Sequence, residues 1–98
     1  MKIESGKYYI VRGRVSGVFF GKIARQEGQE VTMNEVRNIW YWEGASSVLQ
    51  LALDGVSNPQ NCKFTVWLDE LTITDAAEII PCTDKASDII KAVKEWKC

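Results

Sequence analysis

Three large aromatics in succession, Trp40-Tyr41-Trp42, close a strand-like run and lead at once into the small-residue elbow Glu43-Gly44-Ala45-Ser46-Ser47 and an apolar helical stretch. A chain that changes from extended to helical within a few residues must pack helix against sheet, because each element has one apolar face to bury. With 98 residues and 46 % hydrophobic content there is material for one core, so the chain reads as a single domain over 1–98.

The remaining elements follow from periodicity. Lys7 to Val15 and Val18 to Arg25 read as strands joined at Ser16-Gly17, a hairpin with a two-residue turn. Glu30 to Trp42 reads as a third strand, and Thr32-Met33-Asn34-Glu35 blurs its alternation, which predicts a bulge or a break. A helix is expected from about Ser47 to Asp54, with Ser46 as candidate N-cap, Gly55 as its stop and Ala45, Val48, Leu49, Ala52 and Val56 facing the core. Lys63 to Leu68 and Leu71 to Ile80 read as two more strands. Thr83 caps a last helix from Asp84 to about Trp96, with Ala86, Ile89, Ile90, Val93 and Trp96 as its apolar stripe. The order βββαββα predicts an α+β fold, a mostly antiparallel sheet with two helices packed on one face.

Composition removes several function classes. There is no histidine, the commonest general base and metal ligand. Cys62, Cys82 and Cys98 are odd in number and widely spaced, which fits neither a disulfide framework nor a zinc motif. Ser46 and Ser47 lack a base partner, and Asp69, Glu70, Asp75 and Glu78 read as solvated strand ends. The expectation is a non-enzymatic protein with no metal and no cofactor. Net charge is −1, split as +2 over residues 1–49 and −3 over residues 50–98. That balance argues against duplex nucleic acid, which needs a broad basic field. No run reaches the length of a membrane helix. Met1 to Gly6 lacks a signal-peptide apolar region, so a cytoplasmic location is expected.

Candidate binding residues come from the hairpin. With Ser16-Gly17 as the turn, Val15 lies opposite Val18, Gly13 opposite Phe20 and Val11 opposite Lys22. One face then carries Tyr8, Arg12, Arg14, Phe19 and Arg25, so three of the four arginines stand among aromatic rings. Guanidinium groups grip phosphate with two donors, and aromatic faces stack on bases, so this pattern suits a nucleotide. The plainer alternative is a solvated strand face. Arg37, Asn38 and Tyr41 extend the candidate surface, and Ser46 and Ser47, at a helix N-terminus, are candidate anion donors or simple caps. Trp40 and Trp42 are expected beneath the first helix as core, the alternative being a stacking wall or subunit contact.

The segment Arg37-x-x-Trp40-Tyr41-Trp42-x-Gly44-Ala45-x-Ser47, with Gln50-Leu51-Ala52, Gly55, Pro59-x-x-Cys62-Lys63-Phe64, Glu78-Ile79-Ile80-Pro81-Cys82-Thr83 and Gly17-Val18-Phe19, resembles a family of small proteins of unknown function associated with tailed phages, prophages and mobile elements. The resemblance covers about the whole chain. It implies an accessory protein that acts by binding inside an infected bacterial host. The expected role is a counter-defence sponge that sequesters a nucleotide immune signal of the cyclic dinucleotide or cyclic ADP-ribose type, as a symmetric homo-oligomer with the small anionic ligand between subunits. The alternative is an anti-CRISPR-like inhibitor that binds a host defence enzyme or nuclease, for which the acidic C-terminal half speaks.

Overall fold

The computed structural model describes residues 1–98. Its strands are β1 (Tyr8–Gly13), β2 (Val18–Glu27) and β3 (Glu30–Tyr41), followed by α1 (Val48–Asp54) and a single 3-10 turn at Pro59–Asn61. Next come β4 (Lys63–Phe64), β5 (Leu68–Ile73), β6 (Ala76–Pro81) and α2 (Asp84–Ala92). All ladders are antiparallel, in the order β4-β3-β2-β1-β6, with β5 also pairing β3. The fold is α+β with the expected element order. The run Leu71 to Ile80, however, is two strands, β5 and β6, separated at Thr74-Asp75.

That short link bends the whole sheet. β5 lies beside β3 and β6 beside β1, four inter-strand spacings apart along the ladder. A flat sheet would separate them by roughly 19 Å, whereas three residue steps from Ile73 to Ala76 reach at most about 11 Å. The sheet therefore curls until its edges approach, and the Ala76 N–H donates to the Gln29 carbonyl at 3.0 Å. The inside of the curl is a core of Tyr9, Val11, Ile23, Val31, Met33, Val36, Ile73 and Ala76, drawn from every strand but β4. The outer face carries Ile10, Phe20, Ile39 and Phe64 and is covered by Leu51 and Ala52 of α1, by Val56, and by Ile90 and Val93 at the end of α2. β1 is thus buried on both faces, which its run Tyr9-Ile10-Val11 reflects.

The hairpin register differs from expectation. Arg12 pairs with Val18, Val11 with Phe19, Ile10 with Phe20 and Tyr8 with Lys22. The connection is the four residues Arg14–Gly17, not Ser16-Gly17 alone. The reason is Asp75: its carboxylate accepts from the Val15 N–H at 2.8 Å, the Ser16 N–H at 2.9 Å and the Ser16 hydroxyl at 2.6 Å, pinning the loop to the β5–β6 link. The displacement from the expected pairing is three residues, an odd number. It turns the two strands' side chains to opposite faces relative to that expectation.

Those three hydrogen bonds, the Ser16 hydroxyl's first, hold the Asp75 carboxyl below the usual carboxylate range. A lowered folded-state pKa stabilises the fold fully above the ordinary aspartate value near ~3.9, and the contribution fades as pH falls through the lowered value. Asp75→Ala is therefore expected to reduce Tm at pH 7, with the gap to the native protein narrowing below about pH 4. Paired thermal melts from pH 7 down to acid test this. A gap that widens in acid would contradict the assignment.

β3 contains the expected bulge. Phe20 pairs with Arg37 but Lys22 pairs with Asn34, so Glu35 and Val36 oppose Gly21 alone. Glu35 takes φ +48°, the one positive value outside glycine. A Cβ on Gly21 would lie 2.9 Å from the Val36 Cα and 3.0 Å from two carbonyl oxygens, so only glycine fits there.

Ser47, not Ser46, caps α1, its hydroxyl accepting from the Gln50 N–H at 3.3 Å. Leu49, expected in the core, is 63 % exposed, and Leu51 takes the buried place. The helix has only seven residues, and its register is set by the elbow. α2 stops at Ala92, one turn short of the expected end, because Val93 turns to extended geometry. The Thr83 hydroxyl caps α2 by accepting from the Ala86 N–H at 3.0 Å and donates to the Leu53 carbonyl of α1 at 2.7 Å. One side chain therefore ties the end of α1 to the start of α2.

Candidate functional site

The structure disperses the arginine face. Arg12 pairs with Glu78 across β1 and β6 at 2.6 Å. Arg14 is exposed in the loop, and its N–H donates to the Asp75 carbonyl. Arg25 lies past a second irregularity of the β2–β3 ladder and pairs with Glu27 at 2.8 Å. Phe19 turns to the inside of the curl and packs against the inner core. The odd register shift is the physical reason: it puts Phe19 and Arg12 on opposite sides of the sheet.

Arg37 is buried, at 1 % exposure, and is a structural group. Its Nε donates to the Thr65 carbonyl at 3.1 Å, one terminal nitrogen to the carbonyls of Ile90 and Val93 at 3.0 and 2.9 Å, and the other to Phe64 at 3.3 Å. The rings of Phe64 and Trp67 lie 5.5 and 4.8 Å from its guanidinium carbon. A cation at the C-terminus of α2 meets the negative end of the helix dipole. Burial pulls its pKa down and Glu95 partly restores it; an arginine stays charged in either case. Asn38 is tied to the same segment through its backbone, its main-chain N–H donating to the Thr65 hydroxyl at 2.8 Å and its carbonyl accepting from the Thr65 N–H at 3.0 Å. At the start of α1 the Ser46 N–H donates to the Gln50 side-chain carbonyl at 2.7 Å, and the Ser47 hydroxyl accepts from the Gln50 N–H at 3.3 Å. Ser47 thus acts as the N-cap of a helix of only seven residues.

What remains open to a ligand is an aromatic surface at the β3–β4 end of the sheet. Trp42 packs against the outer core, and its indole N–H donates to the Ala45 carbonyl at 3.1 Å. Trp40 does not join it. It is 64 % exposed and stacks on Trp96, with centroids 6.2 Å apart and planes 16° from parallel. Trp96 is held in place by its own N–H, which donates to the Phe64 carbonyl at 2.8 Å, so the C-terminal tail runs beside β4. Lys63 Nζ lies 5.5 Å from the centre of the Trp96 ring. Tyr41 pairs with Lys63 in the ladder and donates its hydroxyl to Glu43 at 2.7 Å, which raises the phenol's pKa. Beside Trp96 opens a cleft of about 550 Å³ bounded by Pro59, Gln60, Cys62, Lys94 and Lys97. Lys63 and Lys94 have no carboxylate partner within 4.0 Å.

Sequence reasoning missed Trp96 and Lys63. Trp96 fell on the apolar stripe of a helix that in fact ends at Ala92. The run Lys94-Glu95-Trp96-Lys97 gave no warning, because on an amphipathic helix the neighbours of a buried position face solvent and are commonly charged.

Residues 6–90 match a family described as a domain of unknown function, DUF6948. The chain belongs to the DUF6948 family. No curated protein and no solved structure matches it. The matched span of the DUF6948 chain takes in all six strands, Arg37, Trp40 and Lys63, and ends at Ile90, within α2. No helix in it is long and apolar enough to cross a membrane. Its Cys82 thiol is pushed up to about 12, chiefly by burial. Burial also raises Cys62, so neither carries a ready thiolate at neutral pH.

Proposed function

We propose that this DUF6948 chain is a non-enzymatic binding protein that sequesters a nucleotide-type signal, a cyclic dinucleotide or a cyclic ADP-ribose, on the Trp40–Trp96 platform. The observation that carries the reading is the exposed, tail-anchored indole pair with unpaired lysines beside it. A base stacked on such a ring contributes roughly 1–3 kcal/mol. Lys63 and Lys94 supply the cations that phosphate requires, and the adjoining cleft gives the ligand's body a wall. A symmetric homo-oligomer in which two platforms share one ligand belongs to this reading. Its biological setting is counter-defence in the cytoplasm of a phage-infected host, and the sequence resemblance supports that setting.

The test is a thermal-shift screen of the reduced protein against cyclic dinucleotides, cyclic ADP-ribose isomers and linear nucleotides, since a ligand that binds only the folded state raises Tm. One class is expected to raise Tm by several degrees. Trp40→Ala, which loses a stacking contact of about 1 kcal/mol, is expected to stay folded and to lose that shift. Arg12→Ala together with Arg14→Ala is expected to keep it. A Trp40→Ala protein that responds like the native one would sink the platform.

A second reading rests on a separate observation. Leu49 and Leu53, one helical turn apart on α1, are 63 % and 59 % exposed. An apolar pair of this kind suits a protein partner, as an inhibitor of a host defence enzyme would need. Pull-down from infected cells, lost in Leu49→Asp/Leu53→Asp together, would favour it.

A further inference from the structure

A second cleft, of about 270 Å³, lies between the sheet and α2 and is lined by Tyr8, Glu35, Trp67, Leu68, Asp69 and Lys91. The ring of Tyr8 lies flat on Phe20, with centroids 4.8 Å apart and planes 5° from parallel, so only its other face is available. Two ammonium groups stand over the Tyr8 ring, Lys91 Nζ at 4.9 Å and Lys22 Nζ at 5.4 Å from its centre. The Glu35 carboxylate accepts from Lys22 at 2.7 Å and from the Tyr8 hydroxyl at 3.3 Å.

Glu35 reaches that place from a left-handed backbone at the β3 bulge. Such a conformation is unfavourable for a residue other than glycine and persists where its surroundings hold it. Bulges re-aim side chains in the same way. The result is a phenol hydroxyl and one lysine bound to one carboxylate, with a second lysine over the same phenol ring, beside an aromatic and apolar wall formed by Trp67 and Leu68. Asp88 holds Lys91 only loosely, at 3.7 Å. Asp69 lines the same cleft and can accept a hydroxyl or N–H from a bound body.

We infer that this cluster is a binding site for a small organic anion, and that Glu35 is an internal stand-in for the ligand's charged group. The ligand has a carboxylate or a phosphate that takes the place of the Glu35 carboxylate beside Lys22, Lys91 and the Tyr8 hydroxyl. It also has a flat or apolar body that lies against Trp67 and Leu68. The site is separate from the Trp40–Trp96 platform and does not depend on what binds there.

Amide NMR titration of the full chain with phenyl phosphate, 4-hydroxybenzoate and inorganic phosphate tests it. Saturable shifts are expected at Tyr8, Lys22, Glu35, Trp67 and Lys91 with one of the two organic anions, and weaker ones with inorganic phosphate alone. The preferred organic anion tells whether the charged group is phosphate or carboxylate. Glu35→Gln removes the competing charge and is expected to tighten binding about threefold or more, while Lys91→Ala weakens it about tenfold. Trp40→Ala is expected to leave it unchanged. Thermal melts check that each variant is folded, and if Glu35→Gln is not, Lys91→Ala alone decides. No saturable shift in either the native protein or Glu35→Gln overturns the site. So do shifts centred on Trp40 and Trp96, or native affinity in Lys91→Ala.

Discussion

Arg37→Ala is expected to lower the free energy of unfolding by roughly 3–5 kcal/mol, a large part of what a domain of this size possesses. The guanidinium hydrogen-bonds across three pieces of chain: β3 at its root, β4 and Thr65 on one side, and the last turn of α2 on the other. The carbonyls of Phe64 and Ile90 keep backbone donors without it, from Trp96 and Val93. Those of Thr65 and Val93 have no other donor, so truncation leaves the buried Val93 carbonyl and the half-buried Thr65 carbonyl unpaired. Such orphaned acceptors cost about 1–3 kcal/mol each, and the contacts with Phe64 and Trp67 are lost as well. Arg37→Lys is expected to recover only part of the loss, because one ammonium cannot reach both sides of the gap. Urea denaturation at neutral pH measures both variants, and a loss under about 1 kcal/mol for Arg37→Ala would show that the clasp is dispensable. The same experiment bears on the site, since Trp96 is carried by the tail segment that Arg37 holds at Val93.

Gly44→Ala is expected to cost roughly 2–4 kcal/mol from two independent sources. Gly44 has φ +96°, where a side chain is strained. A Cβ there would also sit 2.4 Å from the Ser57 backbone nitrogen, whose N–H donates to the Gly44 carbonyl at 3.3 Å. The elbow is thus closed onto the loop after α1, and α1 takes its angle from that contact. Gly28→Ala is the control: it also has positive φ, at +60°, but a Cβ there meets nothing within 4 Å. Equal losses at the two positions would mean that backbone strain is the whole effect and the Ser57 contact contributes nothing.

The Arg37-to-Ser47 segment shows where sequence reasoning works and where it stops. Its elbow, its helix and the strand before it were all legible, because glycine, caps and apolar spacing act over a few residues. The same segment misled on Arg37 and Trp40. Arginine beside aromatics on a strand suits a phosphate site as well as a buried clasp. Which it is depends on the α2 carbonyls, 53 and 56 residues away in the chain. Trp40 and Trp42 look alike in sequence, yet one is under the elbow and the other stacks in solvent on Trp96. The hairpin misled for a related reason. Ser16-Gly17 is a sound turn signal, but Asp75, some 60 residues on, claims Val15 and Ser16 and lengthens the loop. An odd change of register then turns an apparent arginine–aromatic face into side chains on both sides of a curled sheet.

The sequence by itself therefore determined the element order, the caps at Thr83 and near Ser47, the bulge near Glu35 and the α+β class. All of these are set by steric and hydrogen-bonding preferences that act within about one turn of helix or one strand. Only the tertiary structure decided the curl of the sheet, the strand register, the burial of Arg37 and the exposure of Trp40 against Trp96. Those depend on contacts between residues distant in the chain, and a two-residue link, one aspartate or one guanidinium can favour one arrangement among several that local pattern permits equally.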